Sequence, residues 1–367
     1  MSMQAKTLTL GKRPRFGDHP FPVINPSQLG GIETSVLDNG PGRGVRIAWV
    51  NTGGGLRYKV VIDRGLDIAD AEFKGQSLTW HSLTGVTAPN HAYETGLDWL
   101  RSFFGGLVVS CGPLSAGAPC HDAGQDLSLH GTHSNTPATV EFITSPDPAR
   151  DRCEMNVTGV VRTARVFGPN VELRRTISST LGDPTIRIYD QFCNRGNQSV
   201  EHAWLLHINF GYPLLEPGAS TYCYKGKITP RAGDEAYFAG RKNYRKAPNK
   251  PLENHRGGGE VFTYVAPKAD AVGEVTCGVV NEKRGLGVRI TYNNQDYPRL
   301  GNWQHWGPGG SFVGALEPMN NGVDGRDVDR ERGWLAMLEP GQIKEYRCAI
   351  TATDKPKDLD RLLRLNR

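Results

Sequence analysis

Apolar and polar residues alternate in short runs along most of this chain. The pattern is clearest at residues 44–50 (GVRIAWV), 56–62 (LRYKVVI), 138–144 (ATVEFIT), 153–166 (CEMNVTGVVRTARV) and 171–179 (VELRRTISS). It recurs at 185–194 (TIRIYDQFCN), 273–280 (GEVTCGVV), 286–293 (LGVRITYN) and 343–352 (IKEYRCAITA). β-Branched residues occupy these runs and turn residues bound them, which predicts half-buried strands. Helical periodicity is confined to residues 96–104 (GLDWLRSFF) and to the tail from 356. Many short strands without intervening helices predict an all-β fold, a large antiparallel sandwich rather than a βαβ fold. No fixed repeat or low-complexity linker divides the chain, so one domain over residues 1–367 is expected. Residues 232–259 are polar and weakly patterned, and read as a surface excursion.

One segment breaks its own pattern. Residues 202–215 (HAWLLHINFGYPLL) read as a strand through the core, yet include His207 and Asn209. Alternation sends Trp204, Leu206, Ile208 and Phe210 to one face, and Leu205, His207, Asn209 and Gly211 to the other. A buried polar group without a partner costs about 1–3 kcal/mol. The second face therefore lines a ligand cavity or meets other polar groups.

Several stretches could supply that company. In SFVGALEPMNN (311–321), Glu317 closes a strand on the face of small residues, and Pro318 is expected to end it. In LSLHGTHSNTP (127–137), His130 and His133 flank a Gly-Thr turn and suit a pocket lining; as metal ligands they would need partners from elsewhere. Arg101 follows Trp99 and precedes Phe103 and Phe104, an apolar setting in which a guanidinium needs a carboxylate or ligand hydroxyls. Asp63, Arg64 and Asp67 crowd a Gly turn and read mainly as a salt-bridged corner, with Arg64 a further ligand contact. Trp303, His305 and Trp306 lie near Glu317, where a tryptophan could stack on a sugar ring.

Composition narrows the function classes. The 367 residues are 38% hydrophobic and 22% charged, as in a globular protein with a real core. Net charge is +5, but the basic clusters at 12–15 and 361–367 have no interleaved aromatics, which argues against a nucleic-acid groove. No apolar run approaches the roughly 20 residues that cross a bilayer. The first sixteen residues lack the apolar core of a secretory signal. Seven scattered cysteines without a CxxC pair suggest reduced thiols and a cytoplasmic location.

The order of LHG (129–131), HINFG (207–211) and GALEP (314–318) resembles the galactose mutarotase (aldose 1-epimerase) superfamily. With DRGLDI (63–68) and WLRSFFGGLVVSCG (99–112), the chain looks most like a divergent aldose 1-epimerase-like branch, from about residue 25 to 353. The resemblance implies an antiparallel β-supersandwich and a carbohydrate substrate, with no metal and no organic cofactor. It implies that Glu317 is the general base, His207 the general acid, and His130 a second pocket histidine. Arg101 becomes a candidate hydroxyl-binding cation; the residue patterns themselves add Asn209, Trp306, His133 and Arg64 as candidate substrate contacts. Carboxylate and imidazolium are expected on opposite sides of the sugar, one taking the C1 hydroxyl proton and the other protonating the ring oxygen. Two readings stay open beside mutarotation. One is another isomerisation or elimination on a modified sugar, metal-assisted through His130, His133, His207 and Glu317. The other is a sugar-binding module without turnover. Arg64, Arg101 and Arg299 leave an anionic sugar open.

Overall fold

The computed structural model describes residues 25–367, so the basic cluster at 12–15 lies outside it. Each of the nine alternating segments forms a strand. Two large antiparallel sheets result. One runs in the order Gly31–Val36, Arg46–Asn51, Leu56–Val61, Asp67–Phe73, Val108–Cys111, Leu205–Phe210, Val313–Met319, Arg299–His305, Val261–Pro267 and Gly226–Pro230. The other runs Thr139–Thr144, Glu154–Ala164, Asn170–Thr180, Thr185–Asn194, Ile343–Thr353, Leu286–Asn293, Glu274–Asn281 and Ser220–Tyr224.

The main core sits between the sheets and contains the predicted Trp204, Leu206, Ile208 and Phe210 face. In Asn170–Thr180 burial alternates strictly, so Val171, Leu173, Arg175, Ile177 and Ser179 point inward. Arg175 is thus a guanidinium in an apolar layer. It donates to Asp190 through Nε (2.7 Å) and Nη2 (2.8 Å), and to Asp67 of the opposite sheet through Nη1 (3.0 Å). Trp204 Nε1 donates to Asp190 (3.1 Å) and the Ser110 backbone N–H to Asp67 (3.0 Å). All three charged side chains are fully buried, and burial pushes the Asp67 carboxyl up to about 6 against the pull of Arg175.

Three expectations change. Residues 96–104 form only a 3-10 turn, Asp98–Arg101, after which the chain becomes extended and Gly105–Gly106 pairs with Trp80–His81, while Trp99, Phe103 and Phe104 pack in one apolar cluster. The excursion at 232–259 is anchored, with Phe238, Tyr244 and Leu252 buried in the main core. Pro318 does not end its strand, which runs through to Met319. Pairing with Leu205–Phe210 is interrupted beside the proline, which has no N–H to give, and resumes at Leu205↔Met319. The tail helix is present as Pro356–Leu363. Among the described residues, no helix is long and apolar enough to cross a membrane.

Replacing Arg175 by Met leaves two buried carboxylates without a counter-charge. Denaturant unfolding is expected to show a loss of about 3–5 kcal/mol. A loss below about 1 kcal/mol would show that the triad does not hold the sheets together.

Candidate functional site

The site lies on the outer face of the large sheet, away from the main core. Leu205–Phe210 is buried on both faces, since its outer residues meet a second apolar cluster with Val109, Cys111, Met319 and Phe262. Trp99, Phe103 and Phe104 complete that cluster from above. Pairings Ile208↔Leu316 and Asn209↔Ala315 fix a register that sets His207 opposite Glu317. Neighbours across an antiparallel ladder share a face, so the two side chains meet.

They meet at 3.3 Å, His207 Nε2 to Glu317 Oε1. His207 is 4% exposed and Glu317 1%, so little of either side chain is open at the surface. Glu317 Oε1, His207 Nδ1 and Asn209 Oδ1 have no hydrogen-bond partner among the described residues. A buried polar atom left without a partner costs about 1–3 kcal/mol. Burial, with the charge of nearby Glu260, pushes the Glu317 carboxyl up to about 8. Burial takes the His207 imidazole down to about 4. Near neutral pH the pair therefore holds one proton, on Glu317.

Around the pair stand aromatic and imidazole rings. Phe103 lies 5.4 Å from His207, Trp303 5.3 Å, and His130 5.7 Å, each edge-on. His130 sits in a left-handed conformation (φ 59°) before Gly131, where a side chain would collide with the Ser115 and Gly112 carbonyls. Its Nδ1 accepts the Gly117 N–H (3.3 Å), and burial lowers its pKa to about 3. The neutral ring thus carries its proton on Nε2 and is a donor. Trp303 Nε1 donates to Glu260, which also accepts from Arg231 Nη2 (2.7 Å). Among the described residues, no group of three or more His, Cys, Asp or Glu side chains is placed to hold a metal ion.

The remaining residues singled out from the sequence are placed differently. Asn209 is fully buried beneath the pair, its amide donating to the Gly105 and His207 carbonyls (3.0 Å each). His133 is not beside His130. It is buried with Nε2 against the Gly65 carbonyl (3.0 Å) and its ring 4.8 Å from Trp204, on the main-core side. Arg64 is buried, and each of its three side-chain nitrogens donates to a protein carbonyl, those of Ser134, Thr87 and Ser102. The corner is salt-bridged, but to other elements and not through Arg64: Asp63 binds the half-exposed Arg46 and Asp67 the buried Arg175. Arg101 is largely exposed and paired with Asp98 (2.8 Å), because the 3-10 turn turns Trp99 inward and Arg101 out. Trp306 is fully buried in the main core with Nε1 on Gln304 (2.9 Å). The tryptophan at the site is Trp303. Alternation could have found it: Gly301 pairs with Glu317, so Trp303, two residues on, shares the face of Glu317 while Trp306 does not. Glu260 and Arg231 gave no such signal.

The acid–base geometry also differs from the expected one. A 3.3 Å contact leaves no room for a sugar ring between the two groups, and their protonation is the reverse of a carboxylate facing an imidazolium.

Comparison with solved structures agrees with the architecture. A candidate aldose 1-epimerase of Klebsiella pneumoniae subsp. pneumoniae MGH 78578 superposes with a TM-score of 0.82 at 23% identity, over 93% of this chain and 89% of that one. A galactose mutarotase-like protein of Clostridium acetobutylicum gives 0.61 at 12% identity, over 88% and 98%. A second candidate aldose 1-epimerase, from Escherichia coli K12, gives 0.51 at 13% identity, over 82% and 96%. At these identities the likeness establishes the fold, a galactose mutarotase-like β-sandwich. No curated protein matches the chain in sequence. A family model does, over residues 42–352, nearly the whole described chain, and so the protein belongs to the family described as "Domain of unknown function (DUF4432)".

Proposed function

We propose that this protein is an aldose 1-epimerase-type isomerase in which His207 and Glu317 act as one proton-exchanging pair. The observation that carries the reading is their 3.3 Å contact on a buried sheet face, where Glu317 Oε1 and His207 Nδ1 have no hydrogen-bond partner among the described residues. The C1 hydroxyl and the ring oxygen of an aldose sit on one carbon, so a single contacting pair can address both from one side.

Neutral His207 Nε2 takes the C1 hydroxyl proton as the O–H electrons form the C1 carbonyl. The C1–O5 bond breaks onto O5, which receives the Glu317 proton. The pair is then imidazolium and carboxylate in contact, charges that stabilise each other where water is scarce. Rotation about C1–C2 presents the other carbonyl face. O5 attacks C1 and returns its proton to Glu317, while His207 reprotonates the new C1 oxygen. No net proton is consumed. The His130 Nε2–H is a donor for the developing carbonyl or an adjacent hydroxyl, and Trp303 and Phe103 give aromatic edges for the sugar's C–H surface.

Glu317→Gln removes the proton exchange while keeping the shape. Anomer interconversion of the true substrate, followed by NMR exchange or polarimetry, is expected to lose about 10²- to 10⁴-fold in kcat with little change in KM. Wild-type protein that binds aldoses but turns over none would instead indicate a binding module.

The pH profile is a second test. Glu317 must hold a proton and His207 must be free of one, so kcat/KM should be highest between about 4 and about 8. It should fall as pH rises through about 8, when Glu317 ionises, and fall again below about 4, when His207 is protonated. Activity that stays level well past pH 9 would contradict these roles.

A further inference from the structure

A concavity of about 780 Å³ opens on the same face of the large sheet. Its position follows from the ladder. Glu317 pairs with Gly301 and Gly301 with Tyr264, which lines the cavity. Two strand spacings put Tyr264 about 10 Å from Glu317 on the same face. Between them the side chains of Phe262 and Met319 are packed and buried, filling the space a Gly301 Cβ would occupy, at 2.7 and 2.8 Å.

Three guanidiniums line this cavity. Arg231 is neutralised by Asp234 (2.8 Å) and Glu260 (2.7 Å), and Arg332 by Asp324 (2.6 Å). Arg299 is different. It is half-buried, lies 4.0 Å over the Trp334 ring, and gives only Nη1 to a protein acceptor, the Asn320 carbonyl (2.9 Å). Among the described residues it makes no ion pair, and its Nε and Nη2 have no acceptor. The nearest acid it feels, Asp329, accepts the Gly322 N–H with both oxygens (2.8 and 3.0 Å). A partly desolvated guanidinium with an open edge calls for an anion, and that edge matches a carboxylate bidentately. One unneutralised charge also fits a carboxylate better than a phosphate monoester, which is close to dianionic at pH 7. Tyr264, Pro230 and Pro298 offer an apolar wall for a sugar's C–H face.

We propose that this cavity is a subsite for the carboxylate of a sugar acid, held by Arg299. The inference rests on the carbohydrate reading of the His207–Glu317 site and adds a substrate class to it. The substrate is a saccharide that presents its reducing end to His207 and Glu317 and carries a uronate unit in this cavity.

Calorimetric titration of galacturonate, galactose 6-phosphate and galactose into wild-type, R299Q and E317Q proteins tests it. Galacturonate should bind wild type and E317Q alike, bind R299Q at least tenfold more weakly, and bind wild type more tightly than the other two sugars do. Equal galacturonate affinity for wild type and R299Q, no binding to wild type at millimolar concentration, or tighter binding of the phosphate overturns the subsite. Galacturonate affinity lost in E317Q and kept in R299Q places the acid at the His207–Glu317 pair, which sinks the subsite and leaves the proposed reaction standing. Galacturonate bound through Arg299 by a protein that interconverts no anomers keeps the subsite and sinks the reaction. If R299Q does not fold, Trp334→Leu serves instead, since losing the surface under Arg299 should weaken galacturonate binding several-fold; unchanged affinity overturns the proposal.

Discussion

The strand Leu205–Phe210 is held between Val108–Cys111 and Val313–Met319, and the register of those ladders decides which groups face each other on the outer side of the sheet. A slip of one residue would turn His207 and Asn209 into the main core and bring Leu206 and Ile208 out. That exchange would put two polar groups into the main apolar core, which holds residues such as Ile188 and Val288. The register is therefore strongly specified by burial, and the acid–base pair is a by-product of it. Pro318 adds to this, because it interrupts the ladder beside Glu317 without breaking the strand.

Behind the pair, the sandwich is tied across its core by charge as well as by apolar packing. Arg175 joins Asp67 of the large sheet to Asp190 of the other, and Trp204 hydrogen-bonds the same Asp190 one residue before the site strand begins. The same low-polarity surroundings set the site's protonation. Burial disfavours charge on Glu317 and on His207 alike, so one proton on the carboxyl and none on the imidazole is the arrangement without net charge. A pair so balanced can pass a proton either way at small cost.

Most strands legible in the sequence have one face solvated, since these alternate; Leu205–Phe210 and Val313–Met319 are buried throughout and showed as apolar runs carrying a polar residue. Val108–Cys111 and Ser220–Tyr224 are buried on both faces and give no period-2 signal, so they were not legible. His207 and Glu317 were legible because a polar residue in an apolar run, or at the end of one, needs a reason. His130 and His133 share a motif but not a side of the sheet, because the 3-10 turn His133–Asn135 carries the second histidine over to the main core. Arg101 and Trp306 misled for the opposite reason: apolar neighbours in sequence say little about which way a side chain points from a short turn or past a strand end. Glu260 and Arg231 come from segments whose placement depends on tertiary contacts that no local pattern records.

The account depends on His207 and Glu317 sharing a single proton at neutral pH. NMR titration of the protein with ¹³C-labelled glutamate and ¹⁵N-labelled histidine, assigned with the Glu317→Gln and His207→Gln variants, reads both groups directly. A neutral His207 ring at pH 6.5 is expected beside a protonated Glu317 carboxyl that ionises near pH 8. A Glu317 carboxyl already ionised at pH 6.5, with its transition in the ordinary carboxylate range, would contradict it.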